Sequence, residues 1–245
     1  AWMSGLRFQQ GLWAPGRPIV TNTCNFAKGD PCLLSWDDAR TLFHEFGHGL
    51  HHMLTRVDYS AISGINGVAW DAVELPSQFM ENYCWEREAL DLFAAHYESG
   101  ERIPDELYDR MIAAKNFQSG MLMVRQLEFA LFDFRLHSAD PPPQGEQILA
   151  LLENVRRDVA VVPYPSFNRF PNSFSHIFGG GYAAGYYSYK WAEVLSADAS
   201  SAFEENPDGL FAGDAGRRFL AEILEVGGSV DALTAFVNFR GREPK

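Results

Sequence analysis

The stretch Leu42–Met53 constrains this chain most, because it contains the pattern His-Glu-x-x-His at residues 44–48. Its apolar residues recur every three or four positions, which predicts a largely buried helix. On a helix, side chains four residues apart lie on one face, so His44 and His48 can direct their imidazoles at one point and hold one metal ion. Two imidazoles suit zinc. Glu45 lies on the flank, where its carboxylate can reach a water at the metal and act as a general base.

The alternative interpretation of this stretch is a helix with ordinary surface histidines. The apolar stripe argues against it, because a buried histidine needs a partner and a metal ion is one. Ser35 is predicted to cap the helix, with Asp38 completing a capping box. His51 and His52, further along the same helix, are interpreted as ordinary helix histidines.

A catalytic zinc needs a third protein ligand and one open position. The stretch Trp70–Asn82 is predicted to be a second helix, and its acidic residues recur at steps of three or four. A solvated acidic face is the alternative, but the apolar neighbours indicate burial. We expect Glu74 to be the third ligand, giving one Zn²⁺ per chain. Asp71 and Glu81 are candidates for orienting a histidine through its free N–H.

A second informative stretch runs from Phe174 to Trp191 and contains a triple glycine followed by several tyrosines. Glycines permit a mobile loop and a close backbone approach to a ligand. Tyr182, Tyr186 and Tyr189 are at positions i, i+4 and i+7, so a helix would place them on one face. With His176 nearby, they form a donor set for a developing oxyanion. An aromatic helix packed in the core explains the same pattern equally well.

The motifs His-Glu-Phe-Gly-His and Asp-Ala-Val-Glu-Leu-Pro-Ser-Gln resemble those of the thimet oligopeptidase family of zinc metallopeptidases. The likeness is strongest at residues 42–54, 71–85, 124–137 and 169–198. It implies that His44, His48 and Glu74 bind zinc and that Glu45 is catalytic. It also implies that the chain is a C-terminal catalytic part, because family members carry a large helical portion before the zinc helix.

For the second stretch, the resemblance favours the functional interpretation over core packing. It implies that the matching histidine and tyrosines approach the scissile carbonyl and that the glycine loop closes on substrate. The resemblance implies a catalytic role for His176, Tyr186 and Tyr189 and a substrate-binding role for Tyr182, Gly180 and Gly181. Gly179 departs from the family, in which alanine is frequent, and an extra glycine should make the loop looser.

The expected fold is mainly α, a multi-helical zincin-like catalytic domain with a small β element near the N-terminus. Residues 18–26 are β-like, and turn signals stand at Gly11 and at Pro15–Gly16. Residues 57–70 should form a loop that either lines the cleft or is a flexible connection. Helical periodicity is visible at residues 86–98, 105–117, 119–138 and 145–157.

The implied activity is hydrolysis of internal bonds in short peptides. One alternative is a peptidyl-dipeptidase, which needs a cationic site for the substrate carboxylate, with Arg169 the nearest candidate. The other is a non-catalytic, zinc-stabilised peptide-binding module. A structural zinc site would have no need of Glu45 and would usually close with a fourth protein ligand.

The length of 245 residues fits one domain, residues 1–245. The 32 acidic and 20 basic residues give a formal charge of −12, which argues against a nucleic-acid or anionic-membrane partner. No apolar run approaches the roughly 20 residues of a membrane span, and no signal peptide is recognisable. Three cysteines match no ligand spacing and indicate reduced thiols, so we expect a cytoplasmic protein. The oligomeric state is left open.

Overall fold

The computed structural model describes residues 1–11, 16–207, 209–211 and 213–245. Its secondary structure is mainly helical with a small sheet near the N-terminus, which confirms the predicted fold class. The turn predicted at Pro15 lies outside the described residues. The helices of the described residues are α1 Trp36–Leu54, α2 Trp70–Val73, α3 Leu75–Glu81, α4 Arg87–Phe93, α5 Asp105–Ala114, α6 Ser119–Ser138, α7 Glu146–Val159, α8 Ser175–Phe178, α9 Ser188–Glu204, α10 Gly213–Phe219 and α11 Ala232–Arg240.

The small sheet consists of strands β1, Trp2–Arg7, and β2, Ile19–Thr23, paired antiparallel. Strand β2 lies within the predicted β-like segment, whereas β1 lacks the alternation of polar and apolar residues that would have identified it. The sheet packs on α1, where a methyl group added to Gly49 would lie 3.6 Å from Cγ2 of Val20. The sheet therefore supports the back of the helix that carries the His-Glu-x-x-His pattern.

Helix α1 begins as its sequence predicts. The backbone N–H of Asp38 donates to Oγ of Ser35 at 3.1 Å, and the backbone N–H of Ser35 donates to the Asp38 carboxylate at 3.0 Å. This capping box satisfies two donors that the helix itself leaves free, and caps of this kind contribute about 1 kcal/mol. The start of the helix, and hence the register of its histidines, is set locally.

The single helix predicted over residues 70–82 is wrong, because the chain forms two helices that meet at Glu74. Helix α2 ends at Val73, and α3 begins at Leu75 with Pro76 in its first turn. Proline has no N–H to donate to the carbonyl four residues earlier, and its ring would clash with that carbonyl. Glu74 occupies the break with φ −85° and ψ −3°.

Backbone contacts divide the chain into two compact units, one of residues 1–112 with 192–245 and one of residues 113–191. The first has an apolar core from α3, α9, α10 and α11, centred on Phe79, Phe219 and Phe236. The second has its own core from α6, α7 and the segment that follows them, including Phe132 and Val155. Whether the two units constitute the single domain expected from the sequence stays a prediction.

The loop between residues 57 and 70 is folded against the rest of the first unit. It contains a 3₁₀ turn, Ser60–Ile62, and a fully buried Ser63. A Cβ at Gly228 would lie 2.4 Å from the carbonyl oxygen of Asn66, so the two backbones touch. This packing argues against a purely flexible connection. Among the described residues, no helix combines the length and the apolar content needed to cross a membrane.

Candidate metal centre and tyrosine cluster

His44 and His48 lie one turn apart on α1, and their rings meet edge to face with centroids 5.0 Å apart. Nε2 of each histidine lies 3.2 Å from Oε2 of Glu74, whose side chain is fully buried. The structure thus brings together the three residues expected to hold zinc, with a ligand atom of each within 4.8 Å of the others. Their role as ligands stays a prediction.

The close approach of α1 and α3 brings Glu74 to the histidines. Gly47, between the two histidines, faces the backbone of Pro76 and Ser77, and a Cβ at Gly47 would lie 2.5 Å from the Pro76 carbonyl oxygen. Only glycine permits this contact without displacing one helix. Sequence reasoning did not assign Gly47 a role, although a glycine inside a helix is a signal of close packing.

Two further side chains orient the cluster. Nδ1 of His44 donates to Oε1 of Glu81 at 2.7 Å, which fixes the imidazole with Nε2 facing Glu74. Oγ of the buried Ser77 donates to Oε2 of Glu74 at 2.9 Å. Glu81 was one of two candidates for such a position, whereas Ser77 was missed even though it is one helical turn after Glu74. Asp71, the other candidate, has no side-chain hydrogen bond or ion pair among the described residues.

The electrostatics of the cluster favour a cation. Burial alone would lower the pKa of His44, but the carboxylates of Glu74 and Glu81 outweigh it and raise the pKa to about 10. Burial would raise the pKa of Glu74, but hydrogen bonds with His44 and His48 hold it well below its usual range. A metal ion would take the place of the proton that these carboxylates stabilise.

The donor set also fits zinc in size. Tetrahedral coordination with bonds of about 2.0–2.1 Å places neighbouring ligand atoms about 3.3 Å apart. The separation of 3.2 Å from each histidine Nε2 to the Glu74 carboxylate is close to that value. Two imidazoles and one carboxylate, with no fourth protein ligand among the described residues, match the donor set of catalytic zinc sites, whereas closed structural sites have four protein ligands.

Glu45 follows His44 on α1, and its side chain is buried, 7% exposed. Its carboxylate has no hydrogen bond or ion pair with any of the described residues. A buried carboxylate with no protein donor can accept a proton from a water or from a substrate group. This is the property that a general base needs.

His51 and His52 lie on the same helix but outside the cluster, each 2% exposed. Burial, reinforced by His52 and His48, lowers the pKa of His51 to about 3, and burial with His48 lowers that of His52 to about 4. Both are therefore neutral at pH 7. The ring of His52 packs against Phe8 at 5.1 Å. Their burial is deeper than the sequence interpretation implied.

In the second unit, His176 and the three tyrosines form one cluster of rings. The His176 ring centroid lies 6.0 Å from Tyr182, 5.6 Å from Tyr186 and 6.1 Å from Tyr189. The predicted helix through all three tyrosines is wrong, because residues 183–187 form a turn and α9 begins at Ser188. The rings converge through this turn and not through helical spacing.

The glycines before the tyrosines have different surroundings. A Cβ at Gly180 would lie 2.9 Å from the His176 carbonyl oxygen, and Gly181 has φ +85°, which only glycine adopts easily. At Gly179 the nearest atom would be 3.7 Å away, an ordinary contact. Arg169 is exposed and its guanidinium donates to the carbonyls of Ser166 and Asn168 at 2.9 Å, with no carboxylate partner among the described residues.

A mainly helical chain with a His-Glu-x-x-His helix and a third carboxylate donor has the arrangement of the metallopeptidase class. Comparison with known proteins agrees with this assignment to the metallopeptidase class. The chain belongs to peptidase family M3, which it matches over residues 1–245.

Several relatives are similar along most of this chain. It is 58% identical over 232 residues to oligopeptidase A of Escherichia coli strain K12, covering 94% of this chain and 34% of that protein. It is 49% identical over 232 residues to a probable cytosolic oligopeptidase A of Arabidopsis thaliana, covering 93% and 33%. Dipeptidyl carboxypeptidase of Escherichia coli strain K12 is 38% identical over 253 residues, covering 100% and 36%. The chain spans about a third of the length of these relatives.

Proposed function

We propose that this chain is the catalytic part of a zinc-dependent oligopeptidase that hydrolyses internal bonds of short peptides. The observation that carries the proposal is the convergence of His44, His48 and Glu74 beside a buried Glu45 that has no protein partner among the described residues. The substrate class is supported by the relatives named oligopeptidase A. The Arabidopsis relative named cytosolic and the three unpaired cysteines support a cytoplasmic location.

His44, His48 and Glu74 would hold one Zn²⁺. When bound, zinc would polarise the scissile carbonyl and acidify the attacking water. Glu45 takes the proton from that water and passes it to the leaving amine. Ser77 orients the side chain of Glu74, and Glu81 orients that of His44. These ligands would therefore need little rearrangement to bind the ion.

The tyrosine cluster supplies donors for the oxyanion. We assign this role to His176, Tyr186 and Tyr189, on the strength of the family resemblance and of the ring cluster within the second unit. Tyr182, Gly180 and Gly181 contact substrate. Gly180 allows the loop to pass close to the His176 carbonyl, and Gly181 supplies the left-handed conformation of the loop.

The test combines metal content with cleavage of an internally quenched peptide before and after chelation, using the protein expressed from its full open reading frame. We expect one zinc per chain and cleavage that chelation abolishes. Glu45→Gln should keep the zinc and lose at least 10²-fold in kcat. Zinc with no cleavage of any peptide would favour the peptide-binding module, and a folded sample without zinc would contradict the proposal.

A second candidate function is release of C-terminal dipeptides. Two observations favour it, the 38% identity to a dipeptidyl carboxypeptidase and the absence of a carboxylate partner for Arg169 among the described residues. Such an enzyme needs the free carboxylate of its substrate. A peptide acid and its C-terminal amide would be cleaved equally by an endopeptidase, whereas a dipeptidyl carboxypeptidase would cleave only the acid.

A further inference from the structure

A buried carboxylate in the second unit binds the turn that carries the tyrosine cluster. Asp133 lies on α6 and is fully buried, among apolar residues of that unit's core such as Phe132 and Leu136. A carboxylate in such surroundings is costly unless donors compensate it.

Three donors occupy the two oxygens of Asp133. Oδ1 accepts from the backbone N–H of Ala184 at 2.9 Å and from Nδ1 of His137 at 2.8 Å. Oδ2 accepts from the backbone N–H of Tyr186 at 2.9 Å. Charge-assisted bonds of this kind are about twice as strong as neutral ones. Two of the three go to a single five-residue turn, residues 183–187.

This turn needs an external support. Ala184 has φ +55°, a left-handed conformation that is strained for a residue other than glycine. The turn ends where α9 begins, so its conformation sets both the position of Tyr186 and the first turn of the helix that carries Tyr189. The Tyr186 ring lies 5.1 Å from that of Tyr189 and 5.6 Å from that of His176.

We propose that Asp133 is a positioning residue for the reaction, which holds the turn of residues 183–187 so that the rings of Tyr186 and Tyr189 converge with His176. The inference rests on the proposed function, because the tyrosines are taken to bind the oxyanion. Asp133 is fully buried, so it acts through the backbone of Ala184 and Tyr186.

The test is Asp133→Asn, with Asp158→Asn as the matched control. The amide keeps the size of the carboxylate, but its NH₂ group cannot accept, so one of the two backbone N–H groups loses its acceptor. Asp158 is an exposed carboxylate of the same unit that pairs with Arg135 at 3.1 Å. Hydrogen exchange of the peptide covering residues 182–190, zinc content, kcat and KM are measured for each variant.

We expect Asp133→Asn to speed amide exchange in that peptide at least tenfold and to lower kcat at least tenfold. KM should change less than threefold and zinc content should stay the same. Asp158→Asn should match the wild type in exchange, zinc content, kcat and KM. Adding Ala184→Gly to Asp133→Asn should recover part of kcat, because glycine adopts the left-handed conformation at little cost. A general loss of stability would instead lower zinc content together with kcat and would speed exchange outside residues 182–190 as well.

Unchanged exchange and a kcat within twofold of wild type would overturn the inference. If Asp133→Asn alone does not fold, the double variant Asp133→Asn/Ala184→Gly carries the test, because glycine adopts the left-handed conformation at little cost. Faster exchange in residues 182–190 and a kcat at least threefold below wild type are expected, and wild-type values of both would overturn the inference. Tyr186→Phe separates the two proposals. If it leaves kcat unchanged, the proposed oxyanion role fails; if it lowers kcat but Asp133→Asn does not, only the positioning inference fails.

Discussion

Gly47 on α1 lies directly against the backbone of Pro76 on α3, with room for a hydrogen atom but not for a methyl group. Gly47 stands between His44 and His48, and Pro76 follows Glu74 by two residues. The distance between the two helices, and with it the separation of the three donor side chains, is therefore set by contact between backbones.

Gly47→Ala should lower both stability and metal affinity. The added Cβ would lie 2.5 Å from Pro76 and Ser77, so the helices must separate, at a cost of about 1–3 kcal/mol in the free energy of unfolding. Urea unfolding and zinc titration measure the two effects. Gly49→Ala is the matched control, because its Cβ would find only ordinary contacts and alanine favours the helix by about 0.5–1 kcal/mol. Equal behaviour of the two variants would contradict the packing argument.

Ser77→Ala and Glu81→Gln should each weaken zinc binding about 10–100-fold without preventing folding. Ser77 holds the Glu74 carboxylate and Glu81 holds the His44 ring, so each substitution frees one donor to rotate away. Competition with a chelator of known affinity measures the change. Asp71→Asn serves as the control, and a similar loss in that variant would show that a general charge effect is responsible.

Gly180→Ala should lower kcat at least tenfold, whereas Gly179→Ala should be nearly neutral. A Cβ at Gly180 would meet the carbonyl oxygen and Cα of His176 at 2.9 and 3.0 Å and so displace the histidine backbone. At Gly179 the same group meets nothing closer than 3.7 Å. The kcat for peptide cleavage is measured for both variants. Equal values would contradict the close contact at Gly180.

Asp198 should stabilise the fold in a pH-dependent manner. Its buried carboxylate accepts from Arg240 at 2.9 Å and from Arg242 at 2.6 Å. Burial alone would raise its pKa, but hydrogen bonds from Arg242 and Arg240 lower it to about 2. Because the pKa is lower in the folded state, the stabilisation is fully present above about pH 4 and is lost as the pH falls towards 2.

At pH 7, Asp198→Asn should therefore reduce the free energy of unfolding by about 2–3 kcal/mol, the equivalent of a pKa shift of about two units. Urea unfolding at several pH values measures the difference from wild type, which should narrow only below pH 4. Asp158→Asn, in an exposed ion pair, should cost less than about 1 kcal/mol. A difference that stayed constant down to pH 3 would show that Asp198 acts by packing alone.

The sequence predicts those parts of the candidate site whose geometry depends on residues only a few positions apart in the chain. The capping box of Ser35 and Asp38 depends on a spacing of three, and the shared face of His44 and His48 on a spacing of four. Glu74 was identified by the same kind of reasoning, although the helix it was assigned to is broken at that residue. Helical periodicity and capping-box spacing predict these contacts because each contact lies within one turn of a helix.

The parts that sequence reasoning missed depend on groups far apart in the chain. Nothing near the tyrosines shows that Asp133, some fifty residues earlier, replaces helical hydrogen bonds at residues 184 and 186. The spacing of the tyrosines fits a helix, but the buried carboxylate of Asp133 stabilises a turn in which Ala184 is left-handed. Strand β1 was also missed, because its extended conformation depends more on pairing with β2 than on the propensities of its own residues.

The deep burial of His51 and His52 has a consequence for handling the protein. Four of the seven histidines lie within residues 44–52. Of these four, the folded chain places His44 and His48 in the candidate metal cluster, while His51 and His52 are each 2% exposed. In the denatured chain all four are accessible, so surplus divalent metal would also bind that state and would offset part of the stabilisation that the proposed zinc site gives to the native state. Refolding yield should be greatest near one equivalent of zinc and should fall when zinc is in large excess.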